Sequence, residues 1–227
     1  MTLPQDPIRR RKFLGTLLAS ASVGAAALSF PLHLGVAKEP TAPTPDDSDF
    51  DQWLGKINGK HRQVFDAPDA NSGLPLAWAR VFLMTNKAAG VDEKDVTAVV
   101  VLRHEAIALG LDSRVWKKYK FDKMFKVNTM ASKTILTENA FWKPKEGVLP
   151  LPGMSIDQLQ ASGVLFGICD MALTVMSQMA GQKMKMDGAE IKKDWVSGIL
   201  PGIQLVPSGV LAINRAQEHG CTYCYAG

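Results

Sequence analysis

The sequence predicts an α/β fold: a single three-layer domain with a mainly parallel sheet of about five strands flanked by helices. Three observations carry this reading. Val96-Thr97-Ala98-Val99-Val100-Val101-Leu102 is an unbroken apolar, β-branched run, the pattern of a strand buried on both faces in a parallel sheet. Short runs of this kind alternate with segments of helical periodicity. Strands separated by helical crossovers imply right-handed βαβ units, which place helices on both sides of the sheet.

The chain opens with Arg9-Arg10-Arg11-Lys12-Phe13-Leu14-Gly15, followed by a modestly apolar stretch from Thr16 to Leu28. Arg10 and Arg11, one residue, then Phe13 and Leu14 is the layout of a twin-arginine export signal. Gly35-Val36-Ala37 is a small-residue cleavage candidate, so residues 1–37 read as a signal peptide. A membrane span needs about 20 consecutive apolar residues, and Ser20, Ser22, Gly24 and Ser29 interrupt this stretch. A lipoprotein would carry a cysteine at the cleavage point, and the first cysteine is Cys169. The expectation is a periplasmic or otherwise extracytoplasmic protein. The twin-arginine translocase would be a partner during export, with no stable membrane anchor after cleavage. Residues 38–52, rich in Pro, Thr and Asp, read as a flexible linker, and 53–227 as the folded domain.

The strand Arg62–Asp66 leads through turn formers into a helix over Leu76–Asn86, with apolar residues at Leu76, Ala79, Val81, Phe82 and Leu83. The buried strand Val96–Leu102 follows, then a short helix from Ser113 to Tyr119 with Ser113 as cap. Residues 120–153 lack periodicity and read as a surface excursion, a lid or an interface arm. Ser155 caps a helix to Ala161. Gly163–Cys169 is the third strand, Asp170–Gly181 a Met-rich helix and Ala189–Val196 a shorter one. Gly202–Pro207 is the fourth strand. Ser208 caps the helix Gly209–His219, and Cys221–Tyr225 forms a last edge strand.

Charge narrows the function classes. The chain has 26 basic and 22 acidic residues. The signal holds four of the basic residues and one acid, which leaves the remainder near +1. The high isoelectric point is therefore a targeting feature, and no basic stripe with interleaved aromatics suggests a nucleic-acid partner.

In open α/β sheets ligands bind beyond the carboxyl ends of the strands. Those ends here are Asp66, Arg103-His104-Glu105, Cys169-Asp170 and Pro207-Ser208-Gly209. Cys169 is the lead candidate. It closes an apolar strand and precedes a helix, whose N-terminus favours a thiolate. His104 would serve as its base or positioning partner, or as a metal ligand. Glu105, Asp170 and Ser208 are candidate binding residues. Cys221 and Cys224, in His219-Gly220-Cys221-Thr222-Tyr223-Cys224, are spaced for a structural disulfide, a redox pair or half of a metal site. His219 with His104 or His61 is a weak metal set, and no cofactor is otherwise indicated. Met171, Met176, Met179, Met184 and Met186 suggest copper at first sight, but their helical spacing favours core packing. No Gly-x-Ser-x-Gly nucleophile elbow occurs.

Gly163–Cys169, Pro201-Gly202-Ile203-Gln204-Leu205-Val206-Pro207-Ser208-Gly209-Val210 and the helix ending Gln217-Glu218-His219-Gly220 together resemble the DsrE/DsrF-like sulfur-relay family. The Val-Val-Val-Leu strand before His104 resembles that family's second strand. The resemblance runs from about Arg62 to the C-terminus. It implies a compact α/β sheet, homo-oligomeric assembly, and sulfur carried on a cysteine at the position of Cys169. The export signal, the middle insertion and the terminal Cys-x-x-Cys depart from the family pattern. The expected function is thiol-based: persulfide carriage or redox exchange at Cys169. A small-ligand or metal binding module and a non-catalytic oligomeric partner are the alternatives.

Overall fold

The computed structural model describes residues 47–227. The expected export signal, with Arg10, Arg11, Phe13 and Leu14, lies outside the described residues. The chain enters through α1 (Asp47–Leu54) and β1 (His61–Ala67). It crosses by α2 (Leu74–Ala88) to β2 (Val96–Leu102). A 3-10 segment (His104–Gly110) and the short helices α3 (Ser113–Lys118), α4 (Phe121–Met124) and α5 (Ile156–Ala161) lead to β3 (Leu165–Cys169). Next, α6 (Asp170–Met184) and α7 (Gly188–Ser197) lead to β4 (Ile203–Val206). Finally α8 (Gly209–Glu218) leads to β5 (Thr222–Tyr225).

The five strands form one all-parallel sheet in the order β4-β3-β2-β1-β5, with helices on both faces. This is the three-layer α/β domain that the sequence predicts. β2 sits at the centre, which explains its unbroken apolar run. Its alternate residues face different cores: Val100 and Leu102 the larger, Val99 and Val101 the smaller.

From β1 to β4 every crossover moves the same way across the sheet, and its helices bury Leu76, Trp116, Leu159, Leu173 and Trp195 in the larger core. From β4 the chain travels back to the far edge through α8, which buries Ala212, Ile213 and Ala216 in the smaller core. Right-handed crossovers require this: a connection that reverses direction must lay its helix on the other face.

Three expectations need correction. The linker does not extend to residue 52, because Asp47–Leu54 is helical and buries Phe50, Trp53 and Leu54 in the smaller core. The segment 120–153 is no detached arm. Phe121, Phe125, Val127 and Phe141 are buried from it. The buried Asn139 anchors it, with Nδ2 donating to the carbonyls of Leu109 and Leu111 at 2.8 Å each. The methionines are not mainly core: Met171, Met179 and Met186 are exposed, while Met176 is buried. Capping differs in detail as well. Asp112, not Ser113, caps α3 by accepting from the Val115 N–H. Ser155 precedes α5, but its hydroxyl bonds Gln158 rather than the helix backbone.

Asp194 on α7 ties α3 to α7 by accepting from Arg114, Lys118 and Tyr119. Burial alone would push its carboxyl up, but the hydrogen bonds from Lys118, Tyr119 and Arg114 outweigh this and hold it down at about 2. The folded value lies below the unfolded one, so this stabilisation is present above about pH 4 and is lost as pH falls toward 2. Its charged partners Arg114 and Lys118 are about half exposed, so we expect about 1–2 kcal/mol. In urea unfolding, Asp194→Asn should be weaker than wild type by that amount at pH 6, with the gap closed at pH 2. An equal gap at both values would remove Asp194 as the cause.

Candidate functional site

The crossover leaving β3 lies on one face of the sheet and the crossover leaving β4 on the other. Adjacent strands whose connections diverge in this way open a crevice at their carboxyl ends. A cleft of about 220 Å³ lies there, lined by Arg103, His104 and Cys169 with Met171, Ala172, Val175, Met176, Ser208, Gly209 and Val210. The fold thus brings three of the sequence candidates, Cys169, His104 and Ser208, to one place from three different strand ends.

Cys169 is the residue before α6, and its Sγ accepts the Ala172 N–H at 3.2 Å. Its exposure is 6%, so the thiol forms part of the cleft floor. Ser208 caps α8 in the same manner, its Oγ accepting from the Leu211 N–H at 3.1 Å. His104 is exposed and adopts a positive φ of 48°, a region that non-glycine residues seldom enter. No hydrogen bond among the described residues joins it to Cys169. It shares the cleft with the thiol but is not paired with it.

The remaining candidates are not gathered there. Glu105 turns to a separate polar pocket with Asp69, Asn71, Ser72, Lys126 and Asn128. Asp170 is paired with Lys192 of α7 at 2.9 Å, both side chains largely buried, so it fastens α6 to α7. His219 ends α8 and His61 begins β1, both at the amino-terminal edge of the sheet, opposite His104. Among the described residues no group of three or more His, Cys, Asp or Glu side chains is placed to hold a metal ion.

Cys221 and Cys224 are free thiols. Cys221 directly precedes β5 and Cys224 lies within it, three residues further on, and their side chains point to opposite faces. Cys221 packs in the smaller core and Cys224 against the larger one. Burial pushes the Cys221 thiol up to about 11, opposed by the Arg62 guanidinium, and burial also raises Cys224. A deprotonated, exchanging pair is disfavoured by this placement.

Two residues at the strand ends had been given no role by sequence. Arg103 donates from Nε and Nη2 to the two carboxylate oxygens of Asp66, at 2.6 and 2.9 Å. Tyr223 of β5 donates to the same carboxylate at 2.8 Å. Asp66 is only 4% exposed. The hydrogen bond that Arg103 donates to Asp66 is the main cause that raises Arg103 above its usual value; burial opposes it, and the neighbouring Cys169 contributes. The only prior signal was position, since Asp66 and Arg103 stand at neighbouring strand ends.

No family model matches the chain, and no curated protein matches it. A solved structure of a protein of unknown function from Methanobacterium thermoautotrophicum is similar, at 18% identity, over 73% of this chain and 98% of its own, with a TM-score of 0.38.

Proposed function

We propose that the protein works through the Cys169 thiol as a sulfur carrier, accepting sulfane sulfur as a persulfide and passing it on. The observation that carries this reading is the position of Cys169. Its sulfur lies at the switch-point crevice, held by a backbone N–H of the first turn of α6, within a largely apolar cleft. A buried structural cysteine has no need of such a place. Persulfide carriage is favoured over intramolecular redox exchange because a resolving thiol is out of reach. Three inter-strand steps separate β3 from β5, about 14 Å at the usual strand spacing. A disulfide needs Cα atoms within about 7 Å. In this reading His104 positions the incoming donor at the cleft mouth. Export by the twin-arginine route, through Arg10, Arg11, Phe13 and Leu14, and assembly into a homo-oligomer belong to the same proposal. The exposed apolar side chains Met171, Val175, Met179 and Val210 beside the cleft support assembly.

Intact mass of periplasm-derived protein, before and after reduction and cyanide treatment, tests the reading. Wild type is expected to carry one extra sulfur atom that cyanide removes and that Cys169→Ser lacks. A Cys169 that stays unmodified after challenge with a persulfide or polysulfide would overturn it.

A further inference from the structure

We propose that the outer edge of β5 is a docking surface for a second copy of this chain, which adds its own β5 antiparallel and joins the two five-stranded sheets into one. This surface lies at the opposite side of the sheet from the Cys169 cleft and does not depend on sulfur chemistry there.

The sheet has two end strands, β4 and β5. An end strand offers a row of backbone N–H and C=O groups, and proteins blunt such edges with charge or proline. β4 is bracketed by Pro201 and Pro207. β5 is Thr222-Tyr223-Cys224-Tyr225 and carries neither. Thr222, Tyr223 and Tyr225 are of types that favour strands. Tyr223 and Tyr225 are 47% and 59% exposed, although both stand in the sheet.

The backbone sets the register. The Ala226 N–H donates to the Asp66 carbonyl at 2.8 Å, so it points inward to β1. Across a trans peptide the Tyr225 carbonyl then points outward, and alternation along the strand turns the backbone groups of Tyr223 outward as well. Among the described residues no backbone group bonds to that outward side. The Tyr225 carbonyl receives a long contact from the Cys224 thiol at 3.6 Å, which places that sulfur at the edge.

Two outward residues with one inward residue between them are self-complementary about a two-fold axis. Tyr223 falls opposite Tyr225 of the second copy, and each such pair exchanges both of its N–H···O bonds. The tyrosines share one face, so each exposed ring gains an aromatic neighbour directly across the junction, a pairing that stabilises adjacent strands. Tyr223 keeps its hydroxyl on Asp66 throughout. Cys224 falls opposite Cys224 of the second copy in the non-hydrogen-bonded position, with Cα atoms about 4.5 Å apart, within disulfide range. An unrelated extended peptide could use the backbone groups, but only the same strand sets a tyrosine against each tyrosine.

Two measurements on the full chain, purified after export, test this. In analytical ultracentrifugation wild type should sediment at an even multiple of the chain mass, and Tyr225→Pro should halve it. Proline there removes an outward N–H and leaves the ladder to β1 intact, so the urea midpoint should stay near that of wild type. Met179→Glu, on the exposed face of α6, is the comparison. A mass lowered by Met179→Glu but untouched by Tyr225→Pro would overturn the edge in favour of α6. A monomeric wild type would overturn it too.

The second measurement needs no change at the edge. In Cys169→Ser/Cys221→Ala the thiol of Cys224 is the only one left, and diamide, a thiol oxidant, should link two chains through it on a non-reducing gel. A thiol moved one residue on, by Cys224→Ser/Tyr225→Cys in the same background, meets its copy only as a diagonal neighbour about 7–8 Å away, outside the usual disulfide range. Linking should then fall at least about tenfold. Equal linking from both positions, or none from Cys224, would overturn the register.

Discussion

Trp53→Ala is expected to lower the unfolding free energy by about 3–5 kcal/mol, in the range of large aromatic truncations in protein cores. Trp53 is 3% exposed and lies with Phe50, Leu54 and Ile57 over Val64, Val99, Val101 and Val206. The edge of its indole packs on β3 at Gly167, where a Cβ would fall 3.3 Å from Cη2 and Cζ2. Among the described residues, α8 is the only other helix contributing to the smaller core. The indole Nε1 is buried without a hydrogen-bond partner, so the ring contributes through its area. Trp53→Phe keeps most of that area and relieves the orphaned N–H, and should cost under about 1.5 kcal/mol. Guanidinium unfolding of the pair checks this. A Trp53→Ala variant within about 0.5 kcal/mol of wild type would show that α1 does not seal the sheet.

Arg103→Gln should cost about 3–5 kcal/mol, because it leaves the Asp66 carboxylate buried with Tyr223 as its remaining side-chain donor. Asp66→Asn should cost less, about 1–2 kcal/mol, because the arginine is partly exposed and can turn to water. The double variant removes both charges and should be more stable than Arg103→Gln alone. A double-mutant cycle by urea unfolding would then show coupling of about 2 kcal/mol. Additive effects would mean that the two side chains do not depend on each other in solution.

The sheet was legible because its central strand states its own environment: Val96–Leu102 has no polar face to spare. The crevice followed, since Cys169 and Ser208 each end a strand and begin a helix, a transition that leaves a local mark in sequence. α1 leaves a weaker mark. Phe50, Trp53, Leu54 and Ile57 recur at helical spacing, but the Pro- and Asp-rich run before them masks the pattern. The Asp66–Arg103 pair was not readable. It spans 37 residues and depends on the parallel register that sets Asp66 opposite Val101. The outward face of α6 was equally hidden. Met171, Val175 and Met179 are spaced as a helix stripe would be, and spacing does not say which side of a helix meets a neighbour. Phe121, Phe125 and Phe141 bury the middle segment without periodicity, so its attachment to the core left no pattern.

The place of β5 sets an order of events in the life of the chain. Asp66 is held by the hydroxyl of Tyr223, 157 residues later, and its carbonyl accepts from the N–H of Ala226 at 2.8 Å. The group that orients Arg103 is thus locked only after β5, the last strand in chain order among the described residues, has docked at the sheet edge. Contacts of such long sequence separation form slowly. A nascent chain that lacks β5 can build most of its core and still lack a fixed guanidinium, so the docking of this one edge strand completes the buried ion pair.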